Sequence, residues 1–392
     1  MKKSVFIVCL CTLFLISSLP AQESEANQAY IKAVTTADPG QKAQLLKDYI
    51  NTYAGKGTQY ENFANAQLCL LAYPGKSPEE SIEHGEKALA LGSLDDLTKY
   101  QVLIAVSGLY SQLGKNLEKA KTYAGQAVQV AKTNKTKEGA NPKQWDQAAG
   151  AAFYVQAQAM EKADDINGAV GAYKSAYSLL KNKQVIGGLA KLGKSLYDKK
   201  SYANAAIAFR GAYDATKDFG YCAFLAKSLH RSGKKDEALK YYKTAFEKQK
   251  NGELAYNIGI ILTEQAKTNP ALGNEAIKYL LGASHLSENY SKQAMAMAQS
   301  LFFTSDKNYN EKVKELNDAA KALEEQTDAF NKKFGEKDED NLTDDEKKDM
   351  EDMLFEIETL QMQIEEIQQD QQAALEKFNK LIEQSKQQLG IS

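Results

Sequence analysis

The chain has 392 residues, of which 43% are hydrophobic and 26% charged, with a formal net charge of −2. That is long enough for one large domain plus an appendage. The near-neutral charge hides an asymmetry, since Glu336–Ser392 holds 17 acids against 6 bases. The body before it is weakly basic, so the chain is a poor candidate for nucleic-acid binding.

Residues 1–21 read as a secretory signal. Lys2 and Lys3 form the positive start, Val5 to Ile16 an apolar run too short to span a bilayer comfortably, and Ala21 a plausible cleavage position. This predicts an exported protein that is periplasmic, envelope-associated or secreted. No later stretch is apolar enough to cross a membrane. Two cysteines remain after the leader, Cys69 and Cys222. They lie several helix pairs apart, too far for a disulfide, and read as buried thiols.

Residues 22–301 read as helical throughout. Four prolines follow residues that cap helices, as Asp38-Pro39, Ser77-Pro78, Asn141-Pro142 and Asn269-Pro270. Proline suits the first helical position because its missing N–H has no partner there anyway. Small residues then recur at fixed offsets. Leu192, Gly193, Ala205, Phe209 and Ala212 match Leu225, Ala226, Ala238, Tyr242 and Ala245 at a spacing of 33 residues. Ile258, Gly259, Ala276, Leu280 and Ala283 repeat the pattern with a longer loop. Ala157, Ala169, Tyr173 and Ala176 form a further unit, and Gly108, Ala120 and Ala127 a weaker one. A period of this length signals stacked helix pairs. Gly or Ala at the crossing lets two backbones approach, and the aromatic fills the space beside them.

These residues resemble the tetratricopeptide repeat (TPR) family. The resemblance implies an all-α fold, an α-solenoid of about six helix pairs wound as a right-handed superhelix, with an N-terminal helix pair as cap. The expected packing residues are Leu192, Gly193, Ala205, Phe209, Ala212, Ala226, Ala238, Tyr242, Ala245, Gly259, Ala276 and Ala283. In that family the first helix of each pair lines a concave face. Carried over, this places Lys194, Tyr197, Lys227, His230, Arg231, Tyr256, Ile260 and Glu264 on the inner surface. A basic groove with aromatic neighbours suits an acidic peptide or a C-terminal carboxylate of a partner.

The last part changes character. Residues 302–334 carry a three-four apolar pattern through Val313, Leu316, Ala320, Leu323, Thr327, Phe330 and Phe334. An acidic turn follows at 335–342. Residues 343–389 open on a Thr343/Glu346 capping box and then run Met350, Met353, Ile357, Leu360, Ile364, Ile367, Gln371, Ala374, Phe378 and Leu381. This is the heptad signature of a coiled coil. It predicts a helical hairpin whose second helix is longer, with an excess that projects, or docks on the array or on another chain.

Chemistry-bearing motifs are sparse. His84, His230 and His285 lie in different pairs with no second ligand at metal spacing, and His84 and His230 read as solvent-facing. Gly187-Gly188 reads as a linker between pairs. The acids around Asp338 to Asp345 lack the EF-hand glycine. No catalytic residue, metal or cofactor is therefore expected. The favoured function is a non-catalytic scaffold or adaptor binding a protein or peptide. The alternatives are a structural oligomer joined through 343–389 and an enzyme with a cryptic site.

Overall fold

The computed structural model describes residues 25–338 and 342–391. The leader lies outside them, as does part of the acidic turn. The described residues are all-α, with seventeen α-helices, one short 3-10 turn and no strand. The chain divides into two compact units, Met1–Asn182 and Lys183–Ser392.

The first unit holds four helix pairs. They are α1 (Glu25–Thr35) with α2 (Pro39–Tyr53), α3 (Glu61–Leu70) with α4 (Pro78–Leu91), α5 (Asp96–Leu113) with α6 (Leu117–Lys135), and α7 (Pro142–Lys162) with α8 (Ile166–Leu180). Three of the Pro-initiated helices are closed as the sequence predicts. Asp38 accepts from the Gln41 N–H at 2.8 Å, Ser77 from Glu80 at 3.0 Å and Asn141 from Gln144 at 3.3 Å. Each bond satisfies an orphan donor of the first turn.

The second unit begins with α9 (Lys183–Asp198) and α10 (Tyr202–Thr216), α11 (Phe219–Arg231) and α12 (Lys235–Lys248), then α13 (Gly252–Ala266) and α14 (Gly273–Leu286). Here Asn269 makes no side-chain cap, and Pro270 opens a single 3-10 turn before α14. Gly187 and Gly188 lie inside α9 rather than between pairs.

Small residues sit where the helices cross. A Cβ on Gly193 would meet the Phe209 ring at 3.0 Å, and one on Gly259 would meet Leu280 at 2.7 Å. Ala205, Ala212, Ala226, Ala238, Ala276 and Ala283 are fully buried, as are Leu192, Phe209, Tyr242 and Ala245 to within a few per cent. The α5/α6 pair departs from the expected register. Ser107, not Gly108, occupies its crossing, fully buried, and its hydroxyl donates to the Ala120 carbonyl at 2.7 Å.

Three longer helices complete the second unit, α15 (Glu288–Ser305), α16 (Lys307–Phe334) and α17 (Asp344–Leu389). The break before α16 falls at Asp306, whose carboxylate caps the Tyr309 N–H at 3.1 Å, so residues 302–305 end α15. Helices α16 and α17 pair antiparallel. Lys333 meets Asp349, and 21 residues further along each helix Lys312 meets Asp370 at 3.5 Å. The Thr343/Glu346 capping box starts α17, with Glu346 accepting from the Thr343 N–H at 3.0 Å and returning its own N–H to Oγ1 at 3.3 Å. Along α16 it is Ala319 that is buried, while Ala320 faces out.

At 46 residues α17 outruns the 28 of α16, an excess of about 27 Å at 1.5 Å per residue. That excess lies on its own chain. Phe378 packs against Phe302 and Phe303 of α15, with ring centroids 5.3 and 5.9 Å apart. Beyond it, Leu381, Ser385 and Gln388 border a small cavity against Ile277 and Leu281 of α14.

Candidate functional site

The eight residues predicted for an inner surface all fall on α9, α11 and α13, but most have partners already. Lys227 pairs with Glu253 at 2.6 Å and lies 5.7 Å from the Phe224 ring centroid. Glu264 is held by Lys235 at 2.5 Å, and that bond keeps its carboxyl below the usual range. Tyr256 is buried, 8% exposed, with its ring stacked on Tyr290 at 4.8 Å. Tyr197 is half-buried with its ring edge on Tyr202, and Ile260 is half-buried. Lys194 and Arg231 remain exposed.

The histidines differ from expectation. His230 is half-buried and sits edge-on to Tyr242 at 6.0 Å. His84 is half-buried with Nδ1 2.9 Å from the Asn65 amide oxygen. Burial is the main cause that lowers both imidazole pKa values.

A different surface, in the first unit, has the form of a binding groove. Helices α3, α5 and α7 border a shallow, open groove of about 590 Å³, lined by Leu70, Leu71, Tyr73, Ile104, Leu109 and Val155 among others. Gly108 lies in the lining, and a Cβ there would touch nothing within 4 Å. The missing side chain therefore leaves depth in the groove and serves no helix crossing.

Lys76 stands at the groove's polar edge. Its ammonium donates to the Cys69 carbonyl at 2.8 Å and the Leu71 carbonyl at 2.7 Å, at the C-terminal end of α3. Those are the carbonyls that a helix end leaves without intrahelical partners. Burial lowers the Lys76 pKa. The neighbouring Glu80 is taken up by Lys47 at 2.6 Å and by the Tyr73 hydroxyl at 2.6 Å. The Lys76 ammonium is thus hydrogen-bonded to carbonyls and lies 5.5 Å from the Tyr73 ring centroid, with the Glu80 charge acting on it at longer range. Cys69, also in the lining, is a free thiol that burial pushes up to about 11. Cys222 is likewise free and buried.

The sequence reading did not single out this groove. The available signal was in α5, whose apolar residues cover two faces. Val102, Val106 and Tyr110 are buried in one core cluster and Leu103 in another, while Ile104 and the partly buried Ala105 and Leu109 also border the groove. A helix apolar on both sides needs two neighbours or leaves one face open.

Among the described residues there is no group of three or more His, Cys, Asp or Glu placed to hold a metal ion, and no helix long and apolar enough to cross a membrane. No family model matches the chain and no curated protein is similar to it. Some solved structures are similar over much of the chain. A tetratricopeptide repeat protein from Parabacteroides merdae ATCC 43184 is 14% identical, covering 69% of this chain and 99% of its own, with a TM-score of 0.34. The TPR2AB domain of yeast Sti1, solved as a complex with pHSP90, is 16% identical over 66% of this chain and 99% of its own, at 0.25. Yeast Tom70 is 11% identical over 75% and 68%, at 0.28. At such values the likeness carries no argument about site or partner, and the repeated helix pair stands on the packing described above.

Proposed function

We propose that the chain is a non-catalytic adaptor that holds a segment of a partner protein in the α3/α5/α7 groove. The observation that carries this reading is the groove itself, a largely apolar trough open at Gly108 and edged by the Lys76 ammonium, which is hydrogen-bonded to carbonyls. Such a site suits a peptide presenting two or three apolar side chains and a carboxylate. The face on α9, α11 and α13 is the weaker choice, because Lys227 and Glu264 are neutralised by their own chain. The leader-like start, with Lys2, Lys3 and the apolar run after them, supports export to the periplasm, the envelope or the medium. An oligomer joined through the seam of 343–389 would first have to displace α16 from that seam.

The test is a photo-crosslinking residue at Leu109 in the native envelope, with and without Gly108→Leu. A Cβ at this position meets nothing within 4 Å, so the added side chain extends into the groove. Loss of a defined crosslinked protein with retained thermal stability supports the reading. A crosslink that survives Gly108→Leu, or none at all, defeats it.

A further inference from the structure

Helix α17 has a second face that its own chain leaves uncovered. Its seam, including Met353, Ile357, Leu360, Ile364 and Ile367, turns inward and is partly or fully buried. On the opposite side Phe355 is 68% exposed and Met362 61% exposed. They are seven residues apart, so they stand almost in line two turns from each other. Glu351, Glu358 and Glu365 interleave with them at steps of three and four, and Glu366 flanks the line. The four glutamates are exposed, and among the described residues no ion pair holds them. From Asp349 to Glu376 the helix carries nine acids and no base. Only Asp349 and Asp370 of these are matched, by Lys333 and Lys312.

Two large apolar side chains held in water within a row of unpaired carboxylates are a surface made for contact. The residue types narrow the partner. Phe and Met are adaptable apolar anchors for a helix laid alongside. The carboxylates favour Lys and Arg beside that helix's apolar stripe and repel an acidic one. A second copy presenting the same face would bring like charges together.

We infer that the outer face of α17 from Glu351 to Glu366 docks a basic amphipathic helix of a partner protein. This surface is independent of the groove in the first unit. An adaptor with both would hold two partners on one chain.

The test titrates the full-length protein into a labelled synthetic 18-residue helix with Leu at three-four spacing and Lys elsewhere, read by fluorescence anisotropy at low and physiological salt. A second peptide replaces every Lys with Glu. The Lys peptide binds and the Glu peptide does not. Phe355→Ser/Met362→Ser weakens binding at least tenfold. Glu351→Gln/Glu358→Gln/Glu365→Gln does the same and flattens the salt dependence. All five positions face water, so circular dichroism and thermal midpoint stay at wild-type values. Gly108→Leu leaves the peptide affinity unchanged, which separates this surface from the groove. Absence of binding, or equal affinity of the Phe355→Ser/Met362→Ser variant, overturns the proposal. So does a wild-type dimer that this variant dissociates, since the occupant would then be a second copy.

Discussion

Leu389, the last residue of α17, occupies the space where a side chain on Gly282 of α14 would stand. The long helix is therefore fastened at its far end by a glycine on an earlier helix. Its overhang is a dock on its own chain, built from Phe378, Leu381, Ser385 and Leu389. Gly282→Val removes the space for Leu389. Overpacking of this kind costs about 1–3 kcal/mol, and here it falls on the dock and spares the α13/α14 pair. Hydrogen exchange of 381–391 reports it. Those amides lose protection in the variant while α9–α12 keep theirs. Unchanged protection would mean that Leu389 contributes nothing to the dock.

Two helical glycines of the first unit give opposite answers to the same substitution. On Gly85 of α4 a Cβ would strike Val106 and come within 2.8 Å of the Cys69 sulfur. On Gly108 of α5 it would touch nothing. Gly85→Ala thus loses about 1–3 kcal/mol to strain. Gly108→Ala gains up to about 1 kcal/mol, because alanine is the better helix former and gives up less backbone entropy. Urea denaturation of the two variants checks both signs. A stabilising Gly85→Ala would remove the close-packing account of the α3/α4/α5 core.

The helix pairs were legible because their signals are local. Caps at Asp38, Ser77 and Asn141 and crossings at Gly193, Ala205 and Ala238 can be read from a few neighbouring residues. Asn269 misled, since a capping residue before proline also fits a 3-10 turn. Gly108 misled for a related reason. Its offset to Ala120 equals that of Gly193 to Ala205, yet the hydroxyl of Ser107 takes the crossing by bonding the Ala120 carbonyl. The groove and the dock were illegible because both join residues far apart in sequence. Leu71, Leu109 and Val155 share a wall only through the packing of three pairs. His285 meets Ser385 across a hundred residues of chain.

That last contact makes the dock sensitive to pH. His285 Nε2 lies 3.4 Å from the Ile382 carbonyl and 3.5 Å from Ser385 Oγ. Burial lowers its pKa, and Lys386 does so too, against the opposing pull of the Ile382 carbonyl and Glu383. A histidine with a depressed folded pKa favours the docked state when neutral. The stabilisation is complete above the ordinary imidazole value of about 6.5 and is lost as pH falls towards the lower folded value. Exchange protection of 381–391, corrected for intrinsic rates, is expected to fall between pH 7.5 and 5. His285→Gln, which cannot charge, loses that dependence. His84 and His230 shift in the same direction, so global stability declines as well. A pH dependence at 381–391 that His285→Gln leaves intact would assign the effect to them.

Lys76 joins the stability of α3 to the chemistry of the groove. Its ammonium closes the Cys69 and Leu71 carbonyls at the end of the helix. Lys76→Met keeps most of the stem's packing and removes the donor. Leaving buried acceptors unsatisfied costs about 1–3 kcal/mol, and the half-open position puts the loss at the lower end of that range. Lys76→Arg restores a cation but spreads it over a planar fork, which fits two carbonyls less well than a compact ammonium. The expected order of stability is wild type, then Arg, then Met, read from urea midpoints. A crosslinked partner at Leu109 is expected to follow charge instead, surviving Lys76→Arg and fading in Lys76→Met. If partner capture tracks stability and ignores charge, Lys76 is a helix-end clamp and the groove takes its ligand through apolar contact alone.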